Sequence, residues 1–96
     1  MDFLVTYDIA TADKAGVRRL TRVAHLCEGY GLRVQNSVFE CRLSSAAYAQ
    51  LLVDLADLVI PDEDSVNIYR FPGSLREIRL SIGRLPLVDP TTSWLV

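Results

Sequence analysis

Apolar and polar positions alternate with a period of two from Met1 to Ile9, Phe3, Val5 and Tyr7 on one side and Leu4, Thr6 and Asp8 on the other. β-branched and aromatic residues suit a pleated surface, so the run predicts a strand that ends at an acid. Between Asp13 and Gly29 the period lengthens: Val17, Leu20, Val23, Ala24, Cys27 and then Tyr30 recur at helical spacing. Asp13 is suited to cap the start of this helix and Gly31 to end it. On the other face Arg18, Arg22 and His25 follow i, i+4, i+7, with Arg19 at the border, so the helix presents a stripe of guanidinium groups.

The run from Leu32 to Leu43 has strand character at both ends and breaks at Gln35-Asn36-Ser37, where amide and hydroxyl side chains favour a turn or bulge. It predicts two antiparallel strands. Ser44 or Ser45 then caps a second helix through about Val59, with Leu51, Leu52, Leu55 and Leu58 as its buried side and Pro61 as its stop. Pro61-Asp62-Glu63-Asp64 reads as a solvated acidic turn, after which Ser65 to Phe71 returns to strand spacing.

Strand, helix, strand, strand, helix, strand is the ferredoxin-like βαββαβ plan of an α+β domain, with both helices on one sheet face. Residues 1–71 are predicted to form this domain. Its other face carries apolar side chains too, and burying it against a second copy predicts a homodimer. Residues 72–96 form an appendage holding three of the four prolines, Pro72, Pro86 and Pro90. Within it Leu75 to Ile82 alternates weakly, as an additional strand would, and Trp94-Leu95-Val96 is too apolar to dangle in water. This tail is expected to dock on a sheet edge, its own or a partner's.

Composition narrows the function. Ninety-six residues, half of them apolar, suit one core and exclude a separate cofactor domain. The net charge of -2 excludes a uniformly basic coat, so any phosphate-binding surface is local. Nine of the ten basic residues are Arg, which suits bidentate contact to phosphate, although a GC-rich genome produces the same bias. Cys27 and Cys41 suggest neither a zinc site nor a disulfide framework. The absence of a basic leader and of any bilayer-length apolar run predicts a cytoplasmic protein with no membrane contact. Phosphate-loop, zinc-helix and serine-elbow signatures do not occur.

Asp8 is the sharpest chemical candidate because it ends a central strand, although residue type and position leave it open between a turn role and catalysis. One carboxylate is a poor site for Mg²⁺; two copies of Asp8 meeting on a two-fold axis would make a better one. Tyr7, Phe39 and Tyr69 read by default as core or dimer packing. Arg18, Arg19, Arg22 and Arg33 cluster near the strand exit and are open between solvated charge and phosphate contact. His25 is assigned no role.

Three runs, LVTYDI, RRLTRVAHLCEGYGLRVQNSVFE and DSVNIYRF, resemble the small CRISPR-associated adaptation protein, the second Cas protein, a family described as CRISPR-associated endonucleases or endoribonucleases. The resemblance spans residues 3 to 71. It implies a ferredoxin-like homodimer that serves with the CRISPR integrase in capturing new spacers, acting on DNA or single-stranded RNA as a Mg²⁺-dependent nuclease, with Mn²⁺ as a substitute ion. It also implies Asp8 as metal ligand and catalytic residue, Tyr7, Arg33 and Phe39 as further catalytic-site residues, and Arg18 or Arg19 as the helix arginine of that site; the stripe itself offers Arg18, Arg19 and Arg22 as the expected nucleic-acid contact. The alternative is a non-catalytic scaffold that holds a DNA duplex between integrase subunits and needs the arginines and the tail but not Asp8.

Overall fold

The computed structural model describes residues 1–83. Its elements are β1 (Asp2–Asp8), α1 (Lys14–Glu28), β2 (Gly31–Gln35), β3 (Val38–Arg42), α2 (Ser45–Leu58), β4 (Ser65–Phe71) and α3 (Leu75–Ile78). The four strands form one sheet in the order β2-β3-β1-β4, with every neighbouring pair antiparallel. This is the ferredoxin-like arrangement. β1 is central, between Val38–Arg42 and Ser65–Phe71, so whatever leaves its end is braced on both sides.

Strand parity decides what is core. Phe3, Val5 and Tyr7 of β1 join Phe39 and Cys41 of β3 beneath the helices, with Val66 and Ile68 of β4 packed against them. Phe3 stacks on Tyr48 of α2, ring centroids 4.3 Å apart. From α1 the core takes Val23, Ala24 and Cys27, and from α2 Leu51 and Leu55. Two residues expected in the buried stripes lie outside: Val17 is 50% and Leu52 41% exposed. Each sits one position off the seam, which in α1 is filled by Gly16, Arg19, Val23 and Cys27.

Local chemistry sets the boundaries. Asp13 caps α1 by accepting from the Gly16 amide at 2.7 Å, and Ser44 caps α2 by accepting from Ala47 at 3.2 Å. The Gln35-Asn36-Ser37 break is a tight connection, with a register shift between Arg33 and Gln35. Gly31 does not end α1 but opens β2, where a Cβ would lie 2.5 Å from both the Cys41 Sγ and the Glu40 carbonyl oxygen. Only a residue without a side chain lets the strands approach so closely. Both cysteines are free and buried; burial pushes the thiols up, Cys27 to about 11 and Cys41 to about 12.

The segment after β4 departs from the weak alternation in its sequence. Leu75–Ile78 forms a short helical turn, and no fifth strand follows β4 among the described residues. Leu75 is buried and its amide donates to Asp2 at 2.7 Å; Arg79 makes a double hydrogen bond to Glu40, at 2.8 and 2.7 Å. Asp2 also holds Arg42 at 2.9 Å. Asp2, Glu40 and Arg42 all project from the sheet face away from the helices, so this segment meets a face and not an edge. The expected docking of Trp94 to Val96 lies outside the described residues.

Candidate active site

Asp8 is the last residue of β1, lies opposite Ser65 of β4 and is exposed. Alternation puts it with Leu4 and Thr6 on the helix-free face. Its carboxylate has no hydrogen bond or ion pair among the described residues. Beyond it, the chain is held firmly: the Ala10 amide donates to Asp64 Oδ1 at 3.0 Å, and the Ala10 carbonyl packs where a Cβ on Gly16 would have to sit.

Tyr7 points the opposite way. It is buried, its ring centroid is 6.2 Å from that of Phe39, and its hydroxyl donates to the Asn36 carbonyl at 3.2 Å. Burial raises the phenol above its ordinary value, partly opposed by Arg33, so near neutrality it remains a protonated donor. Phe39 is 0% exposed, and the Arg33 guanidinium lies 5.4 Å over its ring. Arg33 also donates to the Asn36 carbonyl at 3.1 Å and to Glu28 at 3.3 Å. Tyr7, Arg33 and Phe39 therefore form one cluster on the helix side of the β2–β3 connection, and Asp8 is not part of it. Within one chain Phe39 is wholly buried and Tyr7 6% exposed, which leaves Arg33 as the partly exposed member of the cluster.

The arginines of α1 divide as well. Arg18 and Arg22 are exposed and have no side-chain partner among the described residues. Arg19 is buried, and its Nε and Nη2 donate to Asp64 at 2.6 and 3.0 Å, so it is withdrawn from the expected nucleic-acid surface. Asp64, expected in a solvated turn, is buried as its partner. Arg19 holds the Asp64 carboxyl well below the usual carboxylate range, the amides of Ile60 and Ala10 adding to this against the opposing effect of burial. The one sequence signal separating Asp64 from Asp62 and Glu63 is its place at the head of DSVNIYRF.

Within one chain the donor set for a metal is incomplete: among the described residues no group of three or more His, Cys, Asp or Glu side chains is placed to hold an ion. Asp8 supplies one free, hard oxygen donor of the kind Mg²⁺ takes alongside water. A cavity of about 410 Å³ bordered by Asp2, Tyr30, Glu40 and Arg76 lies at the start of β1, roughly 20 Å of strand away from Asp8. It is separate from this chemistry.

A four-stranded antiparallel sheet with two helices on one face defines a small ferredoxin-like protein, here with an exposed acid at the exit of β1. Residues 1–76 match the family described as CRISPR associated protein Cas2. The chain is 41% identical over 86 residues to the CRISPR-associated endonuclease Cas2 of Halalkalibacterium halodurans, covering 90% of each chain. It is 45% identical over 94 residues to CRISPR-associated endoribonuclease Cas2 1 of Chloroflexus aurantiacus, covering 97% of this chain and 94% of that one. Among solved structures, Streptococcus pyogenes Cas2 superposes with a TM-score of 0.79 at 38% identity, over 86% of this chain and all of the other. The protein belongs to the Cas2 family.

Proposed function

We propose that this protein acts as a homodimer with the CRISPR integrase in spacer acquisition and carries a divalent-metal-dependent phosphodiesterase activity centred on Asp8. The observation that carries the reading is the free, exposed carboxylate of Asp8 at the end of the central strand, on the face away from the helices. The names of relatives as endonucleases and endoribonucleases support it. The segment at Leu75 to Arg79 covers the Asp2, Glu40 and Arg42 corner of that face and leaves Thr6, Asp8 and Asn67 at the other end and Tyr69, opposite Leu4, on the β4 side. Tyr69 is 52% exposed there, an apolar ring suited to a second copy.

In such a dimer the two Asp8 carboxylates would hold Mg²⁺, or Mn²⁺ in its place, with water completing the shell. When bound, the ion supplies a polarised phosphate oxygen and a more acidic water. Arg18 and Arg22 bind the phosphate backbone of DNA or single-stranded RNA as unpaired surface charges, and Arg33, braced on Phe39, keeps part of its guanidinium toward solvent.

A second reading, a non-catalytic scaffold, is supported by Arg18 and Arg22, which are exposed and have no side-chain partner among the described residues, as duplex contact requires. Asp8→Ala separates the two. The nuclease reading expects loss of metal-dependent cleavage, and the scaffold reading expects spacer acquisition with the cognate integrase to continue unchanged. Cleavage by Asp8→Ala at the wild-type rate rejects the catalytic assignment.

A further inference from the structure

Asp64 occupies a position that its sequence surroundings disguise. Its side chain is 0% exposed, and each carboxylate oxygen accepts one guanidinium and one amide hydrogen. Oδ1 takes Arg19 Nη2 at 3.0 Å and the Ala10 amide at 3.0 Å; Oδ2 takes Arg19 Nε at 2.6 Å and the Ile60 amide at 2.9 Å. A carboxylate has about four lone-pair sites, and here each is used. Asp64 thus has nothing left for a metal ion, and Arg19 has turned its fork inward.

These bonds converge on Asp8. Ala10 follows Asp8 by two residues, and Ser65, the neighbour of Asp64, is the register partner of Asp8 across the β1–β4 ladder. Asp64 therefore ties down both chains that flank the acid. The other side of the same residue is closed by Gly16, whose missing Cβ leaves room for the Ala10 carbonyl, while Asp13 fixes the Gly16 amide. A buried ion pair is a weak source of net stability, because desolvation offsets much of the attraction. What a fully satisfied pair does provide is one geometry for the groups bonded to it.

We infer that Asp64, locked by Arg19, is a positioning residue that sets the exit of β1 and hence the placement of Asp8; this rests on the reading of Asp8 as the catalytic carboxylate. Misplacing a catalytic group by about 1 Å costs on the order of a hundredfold in rate. Asp64→Asn puts an amide donor where Ile60 or Arg19 already donates, and Arg19→Lys keeps the charge but loses the two-pronged contact.

The test uses the full-length chain of wild type, Asp64→Asn, Arg19→Lys and Asp8→Asn. Cleavage of labelled duplex DNA and of single-stranded RNA with Mg²⁺ is measured, together with amide hydrogen exchange by NMR. For the two clamp variants the expected result is kcat lower by about tenfold or more with KM within twofold. The Ala10 amide should exchange at least about tenfold faster, while Val5 in the core is less affected. If Asp64→Asn does not fold, Arg19→Lys carries the comparison. A rise in KM with kcat unchanged would make Arg19 a nucleic-acid contact and overturn the inference. Asp8→Asn inactive with both clamp variants as active as wild type removes this inference alone. Asp8→Asn as active as wild type removes the reading of Asp8, and the inference with it.

Discussion

Tyr7 and Asp8 are neighbours in sequence and leave β1 on opposite faces of the sheet. The Tyr7 hydroxyl is bonded to the Asn36 carbonyl at 3.2 Å under the helices, whereas Asp8 is exposed on the other side. A phosphate that reaches Asp8 is therefore separated from the Tyr7 phenol by the sheet itself. Tyr7→Phe is expected to destabilise the fold by about 1 kcal/mol through the lost hydrogen bond, with cleavage at the wild-type rate. Asp8→Asn is expected to keep the melting temperature and to lower metal-dependent cleavage by about a hundredfold or more. Calorimetry and cleavage kinetics on the two variants check this; a Tyr7→Phe defect as large as that of Asp8→Asn would return the phenol to the reacting centre.

The two exposed arginines of α1 should behave differently from the buried one. Arg18→Ala combined with Arg22→Ala is expected to weaken duplex binding with little sequence dependence. It should also flatten the plot of log K against log salt by roughly one unit or more. Fluorescence anisotropy across a salt series measures both. Equal slopes for wild type and the double variant would assign Arg18 and Arg22 to ordinary surface charge.

Acid should loosen the exit of β1. Arg19 and two backbone amides hold Asp64 below the usual carboxylate range, and Arg42, with the Leu75 amide, lowers Asp2 against the effect of burial. For such depressed acids the stabilisation is complete above the unfolded-state value of about 4 and is lost as pH falls toward the folded-state values. The wild-type melting temperature is expected to be flat from about pH 7 to 5 and to fall below about pH 4. Asp64→Asn should melt lower at neutral pH and show a shallower acid slope. Parallel curves for the two proteins would contradict this linkage.

Gly16→Ala tests the clamp from its other side, since the new Cβ runs into the Ala10 carbonyl oxygen, a backbone atom with little freedom to move. A loss of about 1–3 kcal/mol is expected from overpacking. A melting temperature equal to wild type would mean that the β1–α1 connection yields easily.

The cysteines should be silent. With Cys27 0% and Cys41 2% exposed and their thiols pushed up to about 11 and about 12, alkylation at about pH 8 is expected only after unfolding. Mass spectrometry after iodoacetamide, with and without denaturant, reads this directly.

The alternation of Phe3, Val5 and Tyr7, the caps at Asp13 and Ser44 and the break at Gln35 to Ser37 were legible in the chain. These are local signals: a period or a cap is written within a few neighbouring residues, and β1 to β4 with both long helices follow from them. Asp8 was legible as an exit residue for the same reason. The division of the candidate site was not. Parity already separates Tyr7 from Asp8, but only the packing of α1 and α2 shows which face is filled and leaves Phe39 wholly buried. Arg19 and Asp64, 45 positions apart, look like members of a surface stripe and an acidic turn. Only the tertiary structure brings them together, because burying each charge depends on a partner that no local pattern reveals. Leu75 to Ile78 shows the same limit: too short for a period to declare itself, it takes its helical turn from the buried Leu75 and its amide contact with Asp2.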